Sequence, residues 1–473
     1  MSLAETVREA ARRFGDRAVL LGGDFSLTYA DLDRRSDRVA GGLAAAGVGE
    51  GDVVAITRRS DDGYLVALAA ASKVGAVAAG INPSLAEAER NQLVEFLAPA
   101  AVVTDGDLPE GDAPPPLPPD PDRPAVIVFT SGTTGTPKAA WFRNRELDAV
   151  RRIDLGPLAE EWGGGGPMLA STQFAHIGIT TKLSWYLRRG TTLVRVDPWR
   201  ADAVLEAVAR HRIDSIGGVA PQIALLLRSP LMHTLDLSCV RLLIVGGAAS
   251  SPALVAEATE RFGAGYSIRY SSTESGGVGL GTDPAGDTDE VLHTVGRPRP
   301  GVEARIVDPA DGGELPDGEV GELCIRSGAQ FVGYWGHPEA TAQVLRDGWV
   351  HTGDLAVRDE RGLYRLRGRI KEQYVRGGYN VAPAEVEAVL GLHPDVDQVA
   401  VVPRPDPVMG EIGVAVVVPV EGRPGPTLDA LRSHAGEHLA RWKLPEHLVL
   451  VEELPLTPMQ KIDRAALSDL VGG

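Results

Sequence analysis

An α/β architecture of about three domain-sized units is predicted, with a β-rich stretch in its second half and a compact C-terminal stretch that has its own helices. Three observations predict it. Short apolar runs of strand length alternate with amphipathic stretches of helix length from residue 18 to residue 272. Beyond Gly296 the pattern turns β-rich. The 473 residues also exceed what a single hydrophobic core organises.

The elements follow in order. Met1 to Phe14 reads as a charged amphipathic helix with no apolar signal core. Ala18 to Leu21 reads as a strand, and Thr28 as the cap of a helix from Tyr29 to Ala46. Val53 to Ile56 is a short buried strand. The most apolar stretch, Tyr64 to Ile81, contains Lys73 and several glycines, so it reads as a helix followed by a strand and not as a membrane span. The Pro- and Asp-rich segment Asp105 to Pro124 reads as an exposed linker, and Ala125 to Phe129 as a buried strand. Further strands are expected at Leu193–Val196, Ser215–Ile216, Leu242–Val245, Ser267–Tyr270, Ala304–Val307 and Gly321–Ile325. Helices are expected at Ala201–Arg212, Ala253–Phe262, Pro383–Leu390 and Thr427–Leu439.

Composition narrows the function classes. With 44% hydrophobic and 23% charged residues the chain is globular rather than disordered. A net charge of −17 and a pI near 5.1 argue against nucleic acid or an anionic membrane as the main partner. Two cysteines, Cys239 and Cys324, cannot build a disulfide framework; they read as small core residues in a reducing, cytoplasmic setting.

The strand Ala125–Phe129 runs into Thr130-Ser-Gly-Thr-Thr-Gly-Thr-Pro-Lys138. Glycines let a backbone approach a polyphosphate closely, hydroxyls and N–H groups donate to its oxygens, and the lysine adds charge. The spacing is not that of the P-loop, which needs four residues between its glycines and then Gly-Lys-Ser/Thr. Tyr270-Ser-Ser-Thr-Glu274 offers an aromatic ring for a base, hydroxyls for phosphate and a carboxylate for a cation. The aspartate of His351-Thr-Gly-Asp354 can accept two hydrogen bonds from neighbouring hydroxyls.

Together these motifs resemble the adenylate-forming superfamily, and acyl-CoA synthetases in particular, over essentially the whole chain. The loop matches the family pattern through Lys138 and departs from it at Ala139, where glycine is usual; Ser271 and Gln460 also replace family glycines. The resemblance implies activation of a carboxylic acid by ATP to an acyl-adenylate, release of pyrophosphate, and transfer of the acyl group to coenzyme A. A stand-alone enzyme loading a carrier protein or an amine is the alternative, and a non-catalytic adenylate binder is a second. It also implies a large N-terminal α/β domain over residues 1–368, the adenylating domain, with two sheet-containing subdomains plus a β-rich subdomain, and a small mobile α+β domain over 369–473, hinged near Lys371. The chain runs twelve residues beyond Lys461, which leaves no attached carrier module in this expectation.

Site roles come with the resemblance. ATP is expected to meet Thr130, Ser131, Gly132, Thr133, Thr134, Gly135, Lys138, Gly247, Ala248, Ala249, Tyr270, Ser271, Thr273, Glu274, Asp354, Arg369 and Lys461. Glu274 holds Mg2+, and Lys461, Glu274, Thr130 and His176 carry the catalytic roles. The acyl group is expected against Phe174, His176, Ile177, Gly178, Gly217, Gly218, Gly246, Ser271 and Gly276, and the thiol path along Arg376, Gly377, Gly378 and Tyr379. Arg269, next to Tyr270, is placed to meet a second carboxylate or to point into solvent. Glu385 and Glu387 read as a solvated helix start. The expected partners are a small carboxylic acid and coenzyme A or a carrier protein, with no nucleic acid and no membrane span; a homodimer is left open.

Overall fold

The computed structural model describes residues 1–130, 138–247, 250–377, 379–457 and 462–472. Its first helix, Leu3–Phe14, starts where Ser2 and Glu5 cap each other: the Glu5 N–H donates to Ser2 Oγ at 3.2 Å and the Ser2 N–H to Glu5 Oε2 at 2.7 Å. Leu3, Val7 and Ala10 then face the core. Thr28 caps the helix Tyr29–Ala45 as expected, accepting from the Asp31 N–H at 3.0 Å.

A six-stranded sheet forms the centre of the first half. Its order is Gly333–Tyr334, Ala139–Arg143, Pro124–Phe129, Val77–Gly80, Val53–Ile56 and Ala101–Val103. The last four run parallel and the first two antiparallel. The helix Asp62–Lys73 that feeds it is buried on every side. Lys73 is only 1% exposed, yet its ammonium reaches Asp33 at 2.6 Å and Asp37 at 2.7 Å on the helix Tyr29–Ala45. A charge buried this deeply survives only with such partners.

A second sheet places Ser215–Gly218, Leu242–Gly246 and Gly265–Tyr270 in parallel, then Leu280–Gly281 and Arg297–Pro298 antiparallel. One face packs on the helices Ala201–His211 and Pro252–Phe262 through Leu243, Val245 and Tyr266. A third, antiparallel sheet pairs Val302–Val307, Val320–Ser327, Trp349–Arg358 and Tyr364–Arg369. A small sheet joins Ala18–Leu21 and Ser26–Thr28 to Thr192–Val194 and Pro167–Leu169. The C-terminal sheet is built on the long hairpin Val396–Asp406 and Gly410–Pro419, covered by the helices Pro383–Leu390, Leu428–Gly436 and Arg464–Gly472. Arg228 reaches Asp397 at 2.9 Å, tying the helix Ala220–Arg228 to this hairpin. Among the described residues no helix is long and apolar enough to cross a membrane.

The segment Asp105–Pro124 has no regular structure before its last residue and is mostly exposed, as expected. It lies across the helix Tyr29–Ala45 at Gly41 and Gly42, where an added Cβ would sit 2.3 Å from the Asp112 carbonyl and 2.5 Å from the Pro109 backbone. Two side-chain-free positions make room for a proline-rich strap that cannot pair as a strand. One expectation changes: Glu387 is no solvated residue. Its carboxylate takes Arg464 at 2.9 and 3.0 Å and the Val401 N–H at 2.7 Å.

Candidate nucleotide and acyl site

The parallel strand Gly265–Tyr270 delivers Tyr270 at its carboxyl end, the edge where α/β sheets open toward ligands. The Tyr270 hydroxyl donates to Asp354 Oδ2 at 2.5 Å, and Arg369 Nε donates to Asp354 Oδ1 at 2.7 Å. Asp354 and Arg369 face each other across the antiparallel pair Trp349–Arg358 and Tyr364–Arg369. Three residues singled out from the sequence therefore form one hydrogen-bonded cluster. Burial, then the Asp354 charge, pushes the Tyr270 phenol well above its ordinary pKa, so it remains a donor at neutral pH. Burial works to lower the Arg369 pKa, but Asp354 and Glu372 outweigh it and the net shift is upward. Each carboxylate oxygen of Asp354 keeps a second lone pair for another donor.

The turn that presents Asp354 has a brace the sequence reading missed. Glu322 accepts from the Gly353 N–H at 3.0 Å and lies 2.8 Å from His351 Nδ1, while Thr352 Oγ1 donates to the Leu323 carbonyl at 2.7 Å. The signal was present: Glu322 is a lone charge inside Gly321–Ile325, a run buried throughout. Glu322, Cys324 and His351 place one donor atom each within 4.8 Å of one another, the kind of set that holds a metal. Burial, then Glu322, pushes the Cys324 thiol up to about 12, so without a metal it stays protonated at neutral pH. The group is a hydrogen-bonded support for the Asp354 turn.

Residues 131–137, Ala248, Ala249, Gly378 and Lys461 lie outside the described residues, so the expectations for Ser131, Gly132, Thr133, Thr134 and Gly135, and for those four, have no geometry here. The ends of the loop are held together: the Thr130 N–H donates to the Lys138 carbonyl at 2.8 Å, and the Lys138 N–H to Thr130 Oγ1 at 3.3 Å. Ala139 opens a strand, pairs with Phe129 and is fully buried, so its methyl fills core rather than loop. Lys138 Nζ stands 5.0 Å from the ring centre of Tyr334, and the Tyr334 hydroxyl donates to Glu274 Oε1 at 2.6 Å. Tyr334, which the sequence did not single out, thus joins the loop lysine to the expected metal ligand. The second oxygen of Glu274 has no bond among the described residues, which suits a hard cation such as Mg2+.

On the acyl side, His176 caps the short helix Ile177–Thr180, its Nδ1 accepting from the Gly178 N–H at 3.2 Å. With Nδ1 as acceptor, the proton of the neutral ring sits on Nε2. Phe174 is fully buried, edge-on to Tyr64, behind this helix. Ile177 meets Gly277, where an added Cβ would come within 3.1 Å. Gly276 has φ +76° and turns so tightly that a Cβ would lie 2.1 Å from the Ala329 carbonyl. Gly217 accepts from Ser171, and Gly246 packs against the Arg269 backbone, so the two glycine strands and the Ser171–Gly178 segment adjoin. Gly218 lies against Gln222, and Gly247 takes φ +78°. Ser271 and Thr273 are half-buried beside Tyr270.

In the C-terminal domain Arg376 pairs with Glu446 at 2.9 Å, Gly377 donates to the Met409 carbonyl at 2.8 Å, and exposed Tyr379 stacks on Trp442 with ring centres 4.8 Å apart. Lys371 is exposed in the turn Ile370–Glu372.

Comparison with known proteins identifies the family. A family model described as AMP-binding enzyme matches residues 7–114 and 105–335, and its C-terminal domain model matches 385–461. An indoleacetate–CoA ligase from Aromatoleum aromaticum is 33% identical, covering 100% of this chain and 98% of its own. The fatty acid–[acyl-carrier-protein] ligase ScoC from Streptomyces coeruleorubidus is 31% identical, covering 95% and 92%. The solved structure of the amide bond synthetase McbA from Marinactinospora thermotolerans superposes with a TM-score of 0.87 at 30% identity, covering 99% of this chain and 100% of that one. The chain belongs to the AMP-binding enzyme family, with a large N-terminal and a small C-terminal domain.

Proposed function

We propose that this protein is an acid–thiol ligase: it adenylates a carboxylic acid with ATP and passes the acyl group to coenzyme A. The observation that carries the reading is the cluster of Tyr270, Asp354 and Arg369. It gathers an aromatic face, a hydroxyl-accepting carboxylate and a cation where a nucleoside phosphate needs all three. Lys138, Tyr334 and Glu274 form the matching polyphosphate side.

The substrate carboxylate is already a nucleophile, so the chemistry needs no general base. The task is to hold like charges together while the α-phosphorus becomes five-coordinate. Thr130 to Lys138 take the outer phosphates, Asp354 the ribose hydroxyls, and Lys461 the α-phosphate and the reacting carboxylate. Glu274 would hold Mg2+, whose charge would offset that of the phosphates. His176 and the Gly217, Gly246 and Gly276 positions bound the acyl group.

The domain boundary is placed at 368/369 with the hinge at Lys371. The strand Tyr364–Arg369 ends one sheet, the next sheet begins at Tyr374, and exposed Lys371 lies between them, which supports the choice. Rotation there replaces Lys461 by the Arg376–Tyr379 segment for the thiol step. A cytoplasmic location accords with ATP as the substrate.

The acceptor is coenzyme A because Arg376-Gly-Gly-Tyr379 resembles acyl-CoA synthetases. A carrier thiol and an amine are the competing acceptors, as the relatives' names illustrate. The test is acid-dependent pyrophosphate release, followed by AMP release with coenzyme A, a carrier protein or an amine as the added acceptor. Release with coenzyme A alone is expected; stimulation only by a carrier or an amine refutes the acceptor assignment.

Tyr334→Phe checks the polyphosphate side. It keeps the ring under Lys138 and removes only the hydroxyl bonded to Glu274. Loss of a hydrogen bond to a charged group of about 1.5–3 kcal/mol predicts a rise of roughly 10- to 100-fold in KM for Mg-ATP. Unchanged magnesium and ATP dependence would refute the Tyr334–Glu274 pairing.

A further inference from the structure

The third sheet carries a set of donor atoms that adenylation does not use. Glu322 and Cys324 stand two residues apart on the strand Val320–Ser327, and His351 lies directly opposite Cys324 on the strand Trp349–Arg358. Alternation along a strand puts all three on one face. Ile306, Leu323 and Ile325 turn the other way, into the subdomain core. Beside the three donors lie Trp349 and Val307, and the Trp349 ring is flanked by the guanidinium groups of Arg305 and Arg326 at 4.3 and 4.4 Å. Paired strands rather than loops fix these positions.

Their spacing is close to that of ligands around one ion. Cys324 Sγ is 3.4 Å from His351 Nδ1, that nitrogen is 2.8 Å from Glu322 Oε2, and the three residues offer donor atoms all within 4.8 Å of one another. A tetrahedral ion with bonds of about 2.0–2.3 Å sets neighbouring ligand atoms about 3.3–3.6 Å apart. The sulfur–nitrogen spacing already matches, and the nitrogen–oxygen pair has to open by about half an ångström. Charge points the same way. Glu322 is 7% exposed, and His351 is the one cationic group within ion-pair reach of it among the described residues. A carboxylate and a thiolate together cancel a divalent charge, so the loaded site is neutral, as burial requires.

We propose that Glu322, Cys324 and His351 bind a divalent transition-metal ion of the zinc type, and that the bound ion stiffens the turn presenting Asp354 to the nucleotide. Bonds form to Glu322 Oε2, Cys324 Sγ and His351 Nδ1. The Sγ–H proton leaves to solvent and the ring proton of neutral His351 moves to Nε2. A thiol this basic is a strong donor once its proton has gone. Glu322 Oε1 keeps its bond from the Gly353 N–H, so the ion is tied to the turn itself. Mixed sulfur, nitrogen and oxygen ligands select zinc-like ions over Mg2+, and three of them leave a fourth position for water. The effect on the nucleotide rests on the adenylation reading; the metal site rests on the donor set alone.

The test titrates Zn2+ and Co2+ into chelator-treated wild type, Cys324→Ala, His351→Gln and Cys239→Ala. Wild type is expected to bind one equivalent of Zn2+, to melt at a higher temperature with it, and to show a thiolate-to-Co2+ charge-transfer band. Cys324→Ala should lose the band and bind Zn2+ at least about a hundredfold more weakly, since losing even an outer partner of a ligand costs about 10–100-fold. His351→Gln should weaken Zn2+ similarly but keep a band, and Cys239→Ala should behave as wild type. No saturable binding by wild type, or a band that survives Cys324→Ala, overturns the site. ATP affinity is then measured by equilibrium dialysis with excess Mg2+ and no acid, on desalted loaded and unloaded wild type. Loading should tighten ATP by roughly fivefold, the lower end of coupling between sites, and equal affinities overturn the coupling. If neither form binds ATP, the adenylation reading fails and the metal titration still decides the site.

Discussion

Asp354→Ala is expected to raise KM for ATP by about 10²–10⁴-fold while leaving the chain folded. Asp354 accepts from Tyr270 at 2.5 Å and from Arg369 at 2.7 Å, and its remaining lone pairs are the ones assigned to the ribose. Hydrogen bonds to charged groups contribute about 1.5–3 kcal/mol each, and each 1.4 kcal/mol is a factor of ten. Losing two ribose contacts therefore gives the predicted range. The binding lost is present before the chemical step, so it falls mainly on KM. Asp354→Asn keeps the size and one acceptor oxygen but loses the charge that faces Arg369, and its effect should lie between those of wild type and alanine. The Tyr270 phenol does not titrate near neutrality, because burial and then Asp354 raise its pKa, so the defect should be the same across neutral pH. Initial rates of pyrophosphate release against ATP concentration decide it; a KM unchanged in Asp354→Ala would remove Asp354 from the nucleotide site.

The residues that the sequence made legible are those whose partners lie in the same motif or in a motif of matching spacing. Thr28 announced its helix because a cap acts on the next turn, and the helix Pro383–Leu390 appears with the bounds its pattern implies. Tyr270, Asp354 and Arg369 were each marked by a local motif, and the fold joins them. Tyr334 was invisible because its value comes from lying beside two distant residues. It sits in a two-residue strand at the edge of the first sheet, and its partner Glu274 is 60 residues away. Ala139 looked like the end of a flexible loop because glycine is usual there, whereas the antiparallel pairing with Phe129 turns it into core. Glu387 looked solvated because nothing local marks Arg464 as its partner. Arg269 was readable as a charge next to a motif, but which way it points required the register with Gly246 and Gly281.

Lys461→Ala should produce the largest loss of turnover, and one that divides the two half-reactions. Adenylation is expected to fall by about 10²–10³-fold or more, the scale of removing one preorganised donor at developing charge. Conversion of a chemically prepared acyl-adenylate with coenzyme A should be retained, because the proposed rotation carries Lys461 away before the thiol attacks. The packing around this position supports a coupled movement. Leu456 and Ile462 bridge on either side of it, and Arg464, just beyond, pairs with Glu387 at 2.9 Å and with Glu372 at 3.3 Å. Glu372 adjoins Lys371 in the turn proposed as the hinge, so Arg464 ties the start of the last helix to that turn. The helix and the turn should therefore move together, and Arg464→Ala should slow both half-reactions where Lys461→Ala slows one. Single-turnover assays of each half-reaction separate the cases. Near-normal pyrophosphate release by Lys461→Ala would transfer the catalytic role to another cation, with Lys138 next in line. Equal loss of both half-reactions would mean that Lys461 holds structure rather than the transition state.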